Sequence, residues 1–360
     1  MRSHILIIAD GRSPTALSWI ENVQSLGYEI SMISTYPCER PEGLTQFHIL
    51  PIAFSRFSGG SSARKTPSSS NRLKVLIRRF SPLLQKLRYI LGPLTLWQHR
   101  ADFQSIVKDI QPELVHALRI PFEGMLGSYT PQGIPFLAAT WGNDLTLHAK
   151  GSPLMKRFTQ RCLKRADGLT SDTQRDVRLA RKWGLNEDAL ALVVPGSGGL
   201  DLEAIQRADH FNASQFGITG QGAWVVNPRG FRYGSIRQDN FFAAIPKVLE
   251  QRPDTCFICP GLAGKKQAMA WVQQYGVGAQ TFLLPQLPQP QLWALFKKSQ
   301  VFVSPSVHDG TPNALLESMA CGCLPVVGDI ESLREWVKHN KNGLLVDPTD
   351  ADRLAEAIIE

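Results

Sequence analysis

Two acidic residues, Asp309 and Glu317, flank the start of a predicted helix and are separated by seven residues. Asp309 follows the strand-like run VFVSPS (301–306), and Glu317 falls within the apolar stretch ALLESMA (314–320). An ionised carboxylate only accepts hydrogen bonds and can hold two adjacent hydroxyl groups at once. A carboxylate in apolar surroundings needs such partners, because burying it unpaired is costly. The alternative is that Glu317 faces solvent and Asp309 helps to cap the helix.

The start of this helix offers a second kind of contact. Thr311 is predicted as the N-cap and Pro312 as the first helical residue, and Gly322 would end the helix after Cys321. A helix N-terminus presents N–H groups and partial positive charge, which suit a phosphate or another anion. A loop acid, a helix N-terminus and a helix acid together suit a ligand with sugar hydroxyls, a diphosphate and a ribose. The stretch therefore predicts a nucleotide-sugar site.

Strand and helix patterns alternate along the whole chain and must position these residues. In a first unit, buried strands are predicted at 4–10, 28–34, 113–119, 135–142, 166–172 and 189–196. A second unit begins near Trp224 with the strands WVVNPRG, TCFICPG, TFLLPQL, VFVSPS and CLPVVG. Such alternation implies parallel sheets covered by helices on both faces, and ligands bind outside the carboxyl ends of the strands. We therefore predict an α/β protein of two doubly wound, Rossmann-like domains, 1–198 and 199–360, with the site in the cleft between them.

The stretch from 309 to 329 also resembles a family signature. DGTPNALLESMACGCLPVVGD (309–329) resembles the signature of the family-four retaining glycosyltransferases of the GT-B fold, the glycosyl transferases group 1. That signature is an acid, seven residues and a Glu, running into E-A-M-A-x-G-x-P-V-V. Further runs follow the family's order and spacing: ADGLTSDTQRDVRLARKWGL, VVPGSGGLD, NPRGF and FLLPQLPQPQLWALFKKSQVFVSPS. The resemblance implies an acceptor-binding N-terminal domain and a C-terminal domain that binds the nucleotide sugar.

The resemblance implies donor-binding roles in the second domain. Glu317 would hold the ribose hydroxyls, Asp309 would contact the donor sugar, and Arg229 would neutralise the departing diphosphate. The backbone of the loop and first helical turn, at Gly310, Thr311, Pro312 and Asn313, would line the sugar and the diphosphate. His308 would touch the donor, and Gln286 and Leu287 would border the base. Because Pro312 has no N–H, its neighbours would be the donors there.

Two donor-side positions depart from the family pattern. Asp309 replaces the family's usual Glu, which shortens the side chain by one methylene group. The second cation of the diphosphate site is usually a Lys a few residues after the arginine. Here Arg232 and Arg237 are both candidates for that cation.

The first domain contributes candidates for acceptor-side contacts. Gly11 and Arg12 lie in the loop DGRS, which stands where the family has a glycine-rich loop. Trp141 and Asp144 lie in the run WGND, where many family members have a histidine, and Asp144 would either bind acceptor or donor hydroxyls or cap the next helix. His116, at a predicted strand end facing the cleft, is a candidate acceptor-side base, with a structural histidine as the alternative.

The resemblance implies a retaining reaction without a metal or other cofactor. The leaving diphosphate would assist front-face attack by the acceptor hydroxyl, while cations and a helix end would stabilise its charge. No D-x-D-like cluster lies near the predicted site in the sequence. The CFIC pair (256–259) has no second pair and no suitably spaced histidines, so buried thiols are predicted rather than a zinc site.

The positive charge of the chain is concentrated in one segment. From Leu44 to Ala101 there are ten Lys and Arg residues and no acid, whereas the rest holds 29 basic and 31 acidic residues. Within this segment, 72–91 places apolar residues at helical spacing, with Lys and Arg on the other face. Such a helix suits an anionic membrane surface, and the alternative is that its apolar face packs on the first domain's sheet. No nucleic-acid module is recognised, so nucleic acid is not an expected partner.

Composition and hydropathy predict the cellular location. The chain is 43% hydrophobic and 19% charged, which excludes a disordered protein. The apolar start is too short for a signal segment, and no run reaches the roughly 18 apolar residues of a membrane span. We expect a cytoplasmic protein that docks on the inner face of the cell membrane. The end, ADRLAEAIIE, lies in a predicted helix without a stop signal, which is compatible with a longer natural chain.

The predicted function is a retaining glycosyltransferase. It would move a sugar from a nucleotide-diphosphate sugar to a hydroxyl of a saccharide or lipid-linked acceptor, in cell-envelope polysaccharide or glycolipid synthesis. The alternatives are a non-catalytic nucleotide-sugar-binding protein and a GT-B sugar-nucleotide epimerase. A dehydrogenase is disfavoured, because no G-x-G-x-x-G follows the first strand.

Overall fold

A computed structural model of the chain describes residues 3–55, 87–220, 222–232 and 234–360. The chain divides into two compact units, Met1–Gly199 and Leu200–Glu360. The predicted membrane-docking helix (72–91) lies outside the described residues except for 87–91, which are helical. Among the described residues, none of the helices combines the length and the apolar character needed to cross a bilayer.

The first unit is built on a parallel sheet. Within the described residues, its strand order is β3-β2-β1-β4-β5-β6-β7. The strands are β1 (His4–Ala9), β2 (Glu29–Ser34), β3 (Phe47–Ile49), β4 (Leu114–Ala117), β5 (Phe136–Thr140), β6 (Gly168–Ser171) and β7 (Leu190–Val193). Every strand predicted in this unit is present. The three-residue β3 was not among the predicted strands.

Helices cover this sheet, and three of them begin at polar caps that the sequence supplies. They are α1 (Pro14–Ser25), α2 (Thr95–Gln98), α3 (Arg100–Ile110), α4 (Met125–Gly127), α5 (Pro153–Arg165) and α6 (Gln174–Trp183). The hydroxyls of Ser13, Ser152 and Thr173 accept backbone N–H groups at the starts of α1, α5 and α6. Burial on both faces explains why the central strands read as uninterrupted apolar runs.

The second unit repeats this plan with a shorter parallel sheet. Its described strand order is β10-β9-β8-β11-β12-β13. The strands are β8 (Trp224–Val226), β9 (Cys256–Pro260), β10 (Thr281–Leu284), β11 (Val301–Ser304), β12 (Leu324–Gly328) and β13 (Leu344–Val346). The helices are α7 (Leu202–Arg207), α8 (Gln238–Gln251), α9 (Lys266–Gln274), α10 (Gln289–Lys298), α11 (Asn313–Ala320) and α12 (Ala351–Ile359). The two cysteines of CFIC lie in β9 as buried free thiols.

Each sheet reverses its strand order at one place. In the first unit β1 pairs with both β2 and β4, and in the second β8 pairs with both β9 and β11. The loops that leave the two central strands at such a switch point diverge and open a crevice at their carboxyl ends, where ligands of open α/β sheets bind. The residues that follow β1, β4, β8 and β11 are therefore the candidates for a site.

Candidate functional site

An arginine and an aspartate meet at the switch point of the second sheet. Arg229 follows β8 and Asp309 follows β11, the strand hydrogen-bonded to β8. Arg229 Nη2 donates to Asp309 Oδ2 at 2.5 Å, and both residues are buried. The sequence assigned these two residues to separate parts of a donor molecule. The fold brings them together as one charge-assisted pair.

The Asp309 carboxylate is held by further donors. Ser306 Oγ donates to Oδ2 at 3.2 Å, and the Gly310 backbone N–H donates to Oδ1 at 3.1 Å. Ser332 Oγ also donates to the Asp309 carbonyl at 2.8 Å. These contacts fix the loop between β11 and α11. They also satisfy a buried carboxylate that would be costly without partners.

Helix α11 starts one residue later than the sequence predicted. Pro312, at φ −70° and ψ 121°, is the extended N-cap, and Asn313 is the first helical residue. Thr311 was predicted as the N-cap, and this prediction is wrong. Its hydroxyl accepts a hydrogen bond from Trp336 Nε1 at 2.8 Å, and a residue before proline is pushed into extended backbone. Gly322 takes the positive φ of 89° that follows the helix end, as predicted for this position.

Glu317 lies in the middle of α11 and is buried. Gln289 Nε2, at the start of α10, donates to its Oε1 at 2.8 Å. Burial raises the pKa of Glu317, and Gln289 and the indole N–H of Trp293 oppose this shift. Trp293 Nε1 is buried and makes no hydrogen bond of normal geometry within the described part of the chain. The carboxylate is thus surrounded by neutral donors, and no cation among the described residues forms an ion pair with it.

The other predicted donor-side residues lie around this βαβ unit. His308 is partly exposed, and its backbone N–H donates to the Ser235 carbonyl at 3.3 Å. Leu287 packs against the apolar cluster that includes residues of α10 and α11, whereas Gln286 is exposed. Gly310 is buried and Asn313 is partly exposed. Their roles toward a donor stay predictions.

The two candidates for the second diphosphate cation differ in their surroundings. Arg237 precedes α8 and makes a forked contact with Asp239, with its Nη2 2.7 Å from Oδ2. Asp239 raises the pKa of Arg237 through this hydrogen bond. The Arg232 carbonyl accepts the backbone N–H groups of Ser235 and Ile236 in the turn before α8. Arg237 therefore already has a carboxylate partner on its own helix.

Gly11 and Arg12 follow β1 at the switch point of the first sheet. The Gly11 N–H donates to Ser34 Oγ at 3.1 Å, and a Cβ at Gly11 would lie 2.5 Å from Cys38 Sγ, so the turn requires glycine. Arg12 makes a forked contact with Asp10, at 3.0 Å for both Nε and Nη2. Its guanidinium carbon lies 3.8 Å from the centre of the Tyr36 ring.

Asp144 is a buried anchor of the loops that follow β4 and β5. Arg119 donates to its Oδ1 through Nη2 at 2.7 Å, and the N–H groups of Ile120 and Trp141 donate to its Oδ2. Of the two alternatives that the sequence left open for Asp144, this geometry favours a structural role, although it binds a loop and not the start of a helix. Trp141 packs on the apolar cluster beneath α1.

His116 lies close to the predicted strand end, as the penultimate residue of β4, but it is buried. His116 lies inside β4, between Ile7 and Leu137 in register, and is 4% exposed. Its Nε2 is 3.3 Å from Thr170 Oγ1, and its ring packs edge-on against Trp19. Burial lowers the pKa of His116 to about 3, so a proton on the ring is disfavoured. The strand continues past His116 to Ala117, which leaves the histidine within the sheet and favours the structural alternative.

Comparisons with known proteins agree with this architecture. Residues 236–360 match the family model described as glycosyl transferases group 1. The putative teichuronic acid biosynthesis glycosyltransferase TuaC of Bacillus subtilis is 26% identical over 361 residues, covering 94% of this chain and 82% of that protein. An uncharacterized glycosyltransferase of Methanocaldococcus jannaschii is 31% identical over 112 residues, covering 31% of this chain and 29% of that protein. The chain thus matches less than a third of the length of the Methanocaldococcus protein.

Solved structures share the fold across nearly the whole chain. Sucrose-phosphate synthase from Thermosynechococcus elongatus has a TM-score of 0.68 at 16% identity, covering 99% of this chain and 89% of that chain. Anabaena HepE, solved in complex with UDP-glucose, has a TM-score of 0.65 at 14% identity, covering 99% and 88%. The predicted GT-B fold is therefore confirmed. The matches support the group 1 glycosyltransferase family.

The residues that sequence reasoning missed lie in the first unit. Glu123, after β4, is buried and accepts a hydrogen bond from Thr35 Oγ1 at 2.7 Å. Burial raises its pKa to about 7, although Arg119 and Thr35 oppose the shift. Arg88 donates to the Tyr36 hydroxyl. The position of Glu123 after a predicted strand, at a switch point, is the signal that could have indicated it, whereas Arg88 lies in the predicted 72–91 helix and carries no such signal.

Proposed function

We propose that the chain is a retaining glycosyltransferase that takes a nucleotide-diphosphate sugar as donor and a saccharide or lipid-linked hydroxyl as acceptor. The observation that carries the proposal is the buried, cation-free Glu317 on α11, the helix that follows the Arg229–Asp309 pair. A buried carboxylate with neutral partners gains most from two further hydroxyl donors, and a ribose supplies two adjacent ones.

Arg229 can serve the diphosphate without releasing Asp309. Its Nη2 is bound to Asp309, while its Nε is buried and has no hydrogen-bond partner within the described part of the chain. A guanidinium has five N–H donors, so the same side chain can bind a carboxylate and a phosphate oxygen at once. In this arrangement Asp309 orients Arg229 and contacts the donor sugar, and Arg229 neutralises the leaving diphosphate.

The retaining, metal-independent reaction belongs to the same proposal. The departing diphosphate assists attack by the acceptor hydroxyl on the face that it leaves. Its charge is stabilised by Arg229 and by the N-terminus of α11, where Pro312 is the N-cap. A nucleotide sugar as donor is supported by the Anabaena structure with UDP-glucose, and polysaccharide synthesis by the teichuronic acid relative.

A cytoplasmic protein that docks on an anionic membrane is the remaining part of the proposal. Leu87, Ile90 and Trp97, at and after the end of the predicted 72–91 helix, are 47%, 51% and 57% exposed. Exposed apolar and aromatic side chains next to basic residues suit the boundary of an anionic bilayer. Co-sedimentation with vesicles of anionic lipid, before and after replacement of Lys and Arg in 72–88, tests this. Unchanged binding after the replacement contradicts it.

The function is tested by donor binding and turnover. A thermal-shift screen of nucleoside diphosphates and nucleotide sugars should find a stabilising ligand, because ligand binding to the folded state raises stability in proportion to affinity. Glu317→Ala should abolish that shift and the slow hydrolysis or transfer of labelled donor. Glu250→Ala, which removes an exposed acid from α8 in the same unit, is the matched control and should change neither.

The outcomes separate the alternatives. Binding without turnover across donors indicates a non-catalytic nucleotide-sugar-binding protein. Conversion of one nucleotide sugar into its epimer, without release of nucleoside diphosphate, indicates an epimerase. A full ligand shift in Glu317→Ala contradicts the role of Glu317.

A further inference from the structure

A cluster of arginines lies at the switch point of the first unit's sheet. Arg12 follows β1, Tyr36 follows β2, and Arg119 and Glu123 follow β4. Arg88 joins them, because it donates to the Tyr36 hydroxyl and its guanidinium carbon lies 4.7 Å from the centre of the Phe122 ring. We call these residues, Arg12, Tyr36, Arg88, Arg119 and Glu123, the arginine cluster.

The charges within the arginine cluster are unequally matched. Arg12 is bound to Asp10 and Arg119 to Asp144, each through a forked or paired contact. Arg88 forms no ion pair with a carboxylate among the described residues, and its Nε is buried without a hydrogen-bond partner there. Glu123 accepts a hydrogen bond from Thr35, and Arg119 and Arg88 face it without a hydrogen bond to it. Arg88 is therefore the one cation of the cluster whose charge no carboxylate within the described residues balances by direct contact.

The surroundings of Arg88 favour an anionic ligand over a structural explanation. A buried guanidinium N–H without an acceptor costs free energy, because it loses the hydrogen bond that it makes in water. An anion that accepts a hydrogen bond from this N–H offsets that cost. The flanking turn is also strained: Arg119 has φ 142° and ψ 150°, a region populated almost only by glycine, and Phe122 has φ 70°. Asp144 fixes this turn by binding both the Arg119 side chain and the Ile120 N–H.

We propose that the arginine cluster is an anion-binding subsite that holds a carboxylate or phosphate group of the acceptor, with Arg88 as its main contact. That the bound group belongs to an acceptor rests on the proposed transferase function. The binding of an anion by the cluster does not depend on that function. Arg12 and Arg119 are already paired with Asp10 and Asp144, and Glu123 disfavours ligands of high negative charge when it is ionised. The enzyme would therefore select charged saccharides, such as uronates or sugar phosphates, over neutral ones.

Calorimetric titration of the full chain tests the subsite. The probes are methyl glucuronide for a carboxylate, glucose 6-phosphate for a phosphate, and methyl glucoside as the neutral control. At least one anionic probe should bind at least tenfold more tightly than methyl glucoside, and Arg88→Gln should abolish that preference. Arg157→Gln, which removes an exposed arginine from α5, is the matched control and should retain the preference. Which anionic probe binds distinguishes the carboxylate from the phosphate.

The test separates this inference from the proposed function. The donor-induced thermal shift of Arg88→Gln reports on the second unit, and its own unfolding midpoint reports whether the variant is folded. If Arg88→Gln is unfolded, Arg88→Lys keeps the charge without the fork and should weaken the preference only in part. Equal binding of charged and neutral probes, or no binding of any probe at millimolar concentration, overturns the subsite while leaving the donor site untouched. An unchanged preference in Arg88→Gln overturns it as well.

Discussion

The two switch points of this protein use the same chemical parts in different ways. In the second unit Arg229 and Asp309 are both buried and pair across the central strands. In the first unit Arg119, which follows β4, pairs with Asp144, which follows β5, one strand away from the switch point. The carboxylate of this pair is buried, while the arginine side chain is 37% exposed. The first unit also has Arg88, which forms no ion pair with a carboxylate among the described residues. The switch point of the second unit thus holds a closed charge pair, whereas that of the first holds the arginine cluster.

The two units therefore suit different kinds of ligand. The second unit holds a fixed, pre-paired arginine beside a neutral-lined glutamate, which suits a ligand of constant chemistry. The first unit holds its arginine cluster on three separate loops, which follow β1, β2 and β4, and on a segment before α2. Ligand sites in doubly wound folds are built on loops at the same edge of the sheet, so the scaffold can stay unchanged while the loops differ.

The largest effect is expected when the ion pair between Arg229 and Asp309 is broken. Arg229→Ala leaves the Asp309 carboxylate buried without its cation, which should destabilise the second unit by about 3 to 5 kcal/mol. Donor turnover should fall by about a hundredfold or more, because the charge of the leaving group loses its stabiliser. Urea unfolding and donor hydrolysis measure the two effects. Arg353→Ala, which removes an exposed pair with Glu356 in α12, is the control and should cost about 0 to 1 kcal/mol. Equal losses in the two variants would contradict the importance of burial.

A smaller, pH-dependent effect is expected at Glu123. Its folded-state pKa of about 7 exceeds its usual value of 4.5, so the folded state keeps the proton after the unfolded state has lost it. Its contribution to stability is fully present below about pH 4.5, falls as the pH rises, and is lost above about pH 7. Glu123→Gln should therefore be more stable than the parent protein above that pH, by up to about 3 kcal/mol.

Unfolding of Glu123→Gln and of the parent protein, measured at several pH values, checks this sign. The groups that face Glu123 are Arg119, Arg88, Tyr36 and Thr35, and they stay the same in both proteins. Glu113→Gln, at an exposed position just before β4, should show no pH-dependent difference. A constant difference at all pH values would mean that Glu123 does not titrate in this range.

The smallest of the three effects is expected at Asp144. Asp144→Asn places an N–H₂ group among donors from Arg119, Ile120 and Trp141, which should destabilise the first unit by about 2 kcal/mol. The midpoint of thermal unfolding measures it, with the exposed Asp109→Asn in α3 as control. Donor-induced stabilisation should persist. If Asp144→Asn instead keeps its stability and loses turnover, the carboxylate binds a substrate hydroxyl and the loop-anchor interpretation is wrong.

Much of the fold could be predicted from the sequence, because buried parallel strands are continuous apolar runs. HILIIAD and TCFICPG were predicted as strands, and the structure has His4–Ala9 and Cys256–Pro260 there. The short strands Phe47–Ile49 and Leu344–Val346 were missed, because three residues carry no distinguishable periodicity. The start of α11 was misplaced by one residue, because a threonine before proline has a cap-like identity, while its hydroxyl has a better partner in Trp336.

The sequence by itself indicated two doubly wound domains through its alternating strands and helices, and the GT-B class through its resemblance to a family signature. It also fixed the stretch from Asp309 to Glu317, because a loop, a cap and one helix lie within nine consecutive residues. Only the tertiary structure decided that Arg229 pairs with Asp309 80 residues away, that Gln289 faces Glu317, and that His116 lies inside a sheet. It also decided that Arg88 has no carboxylate partner in the described chain. The physical reason is that local spacing fixes which residues share a helix or strand. Strand order and register fix which distant loops meet, and no short-range pattern encodes that meeting.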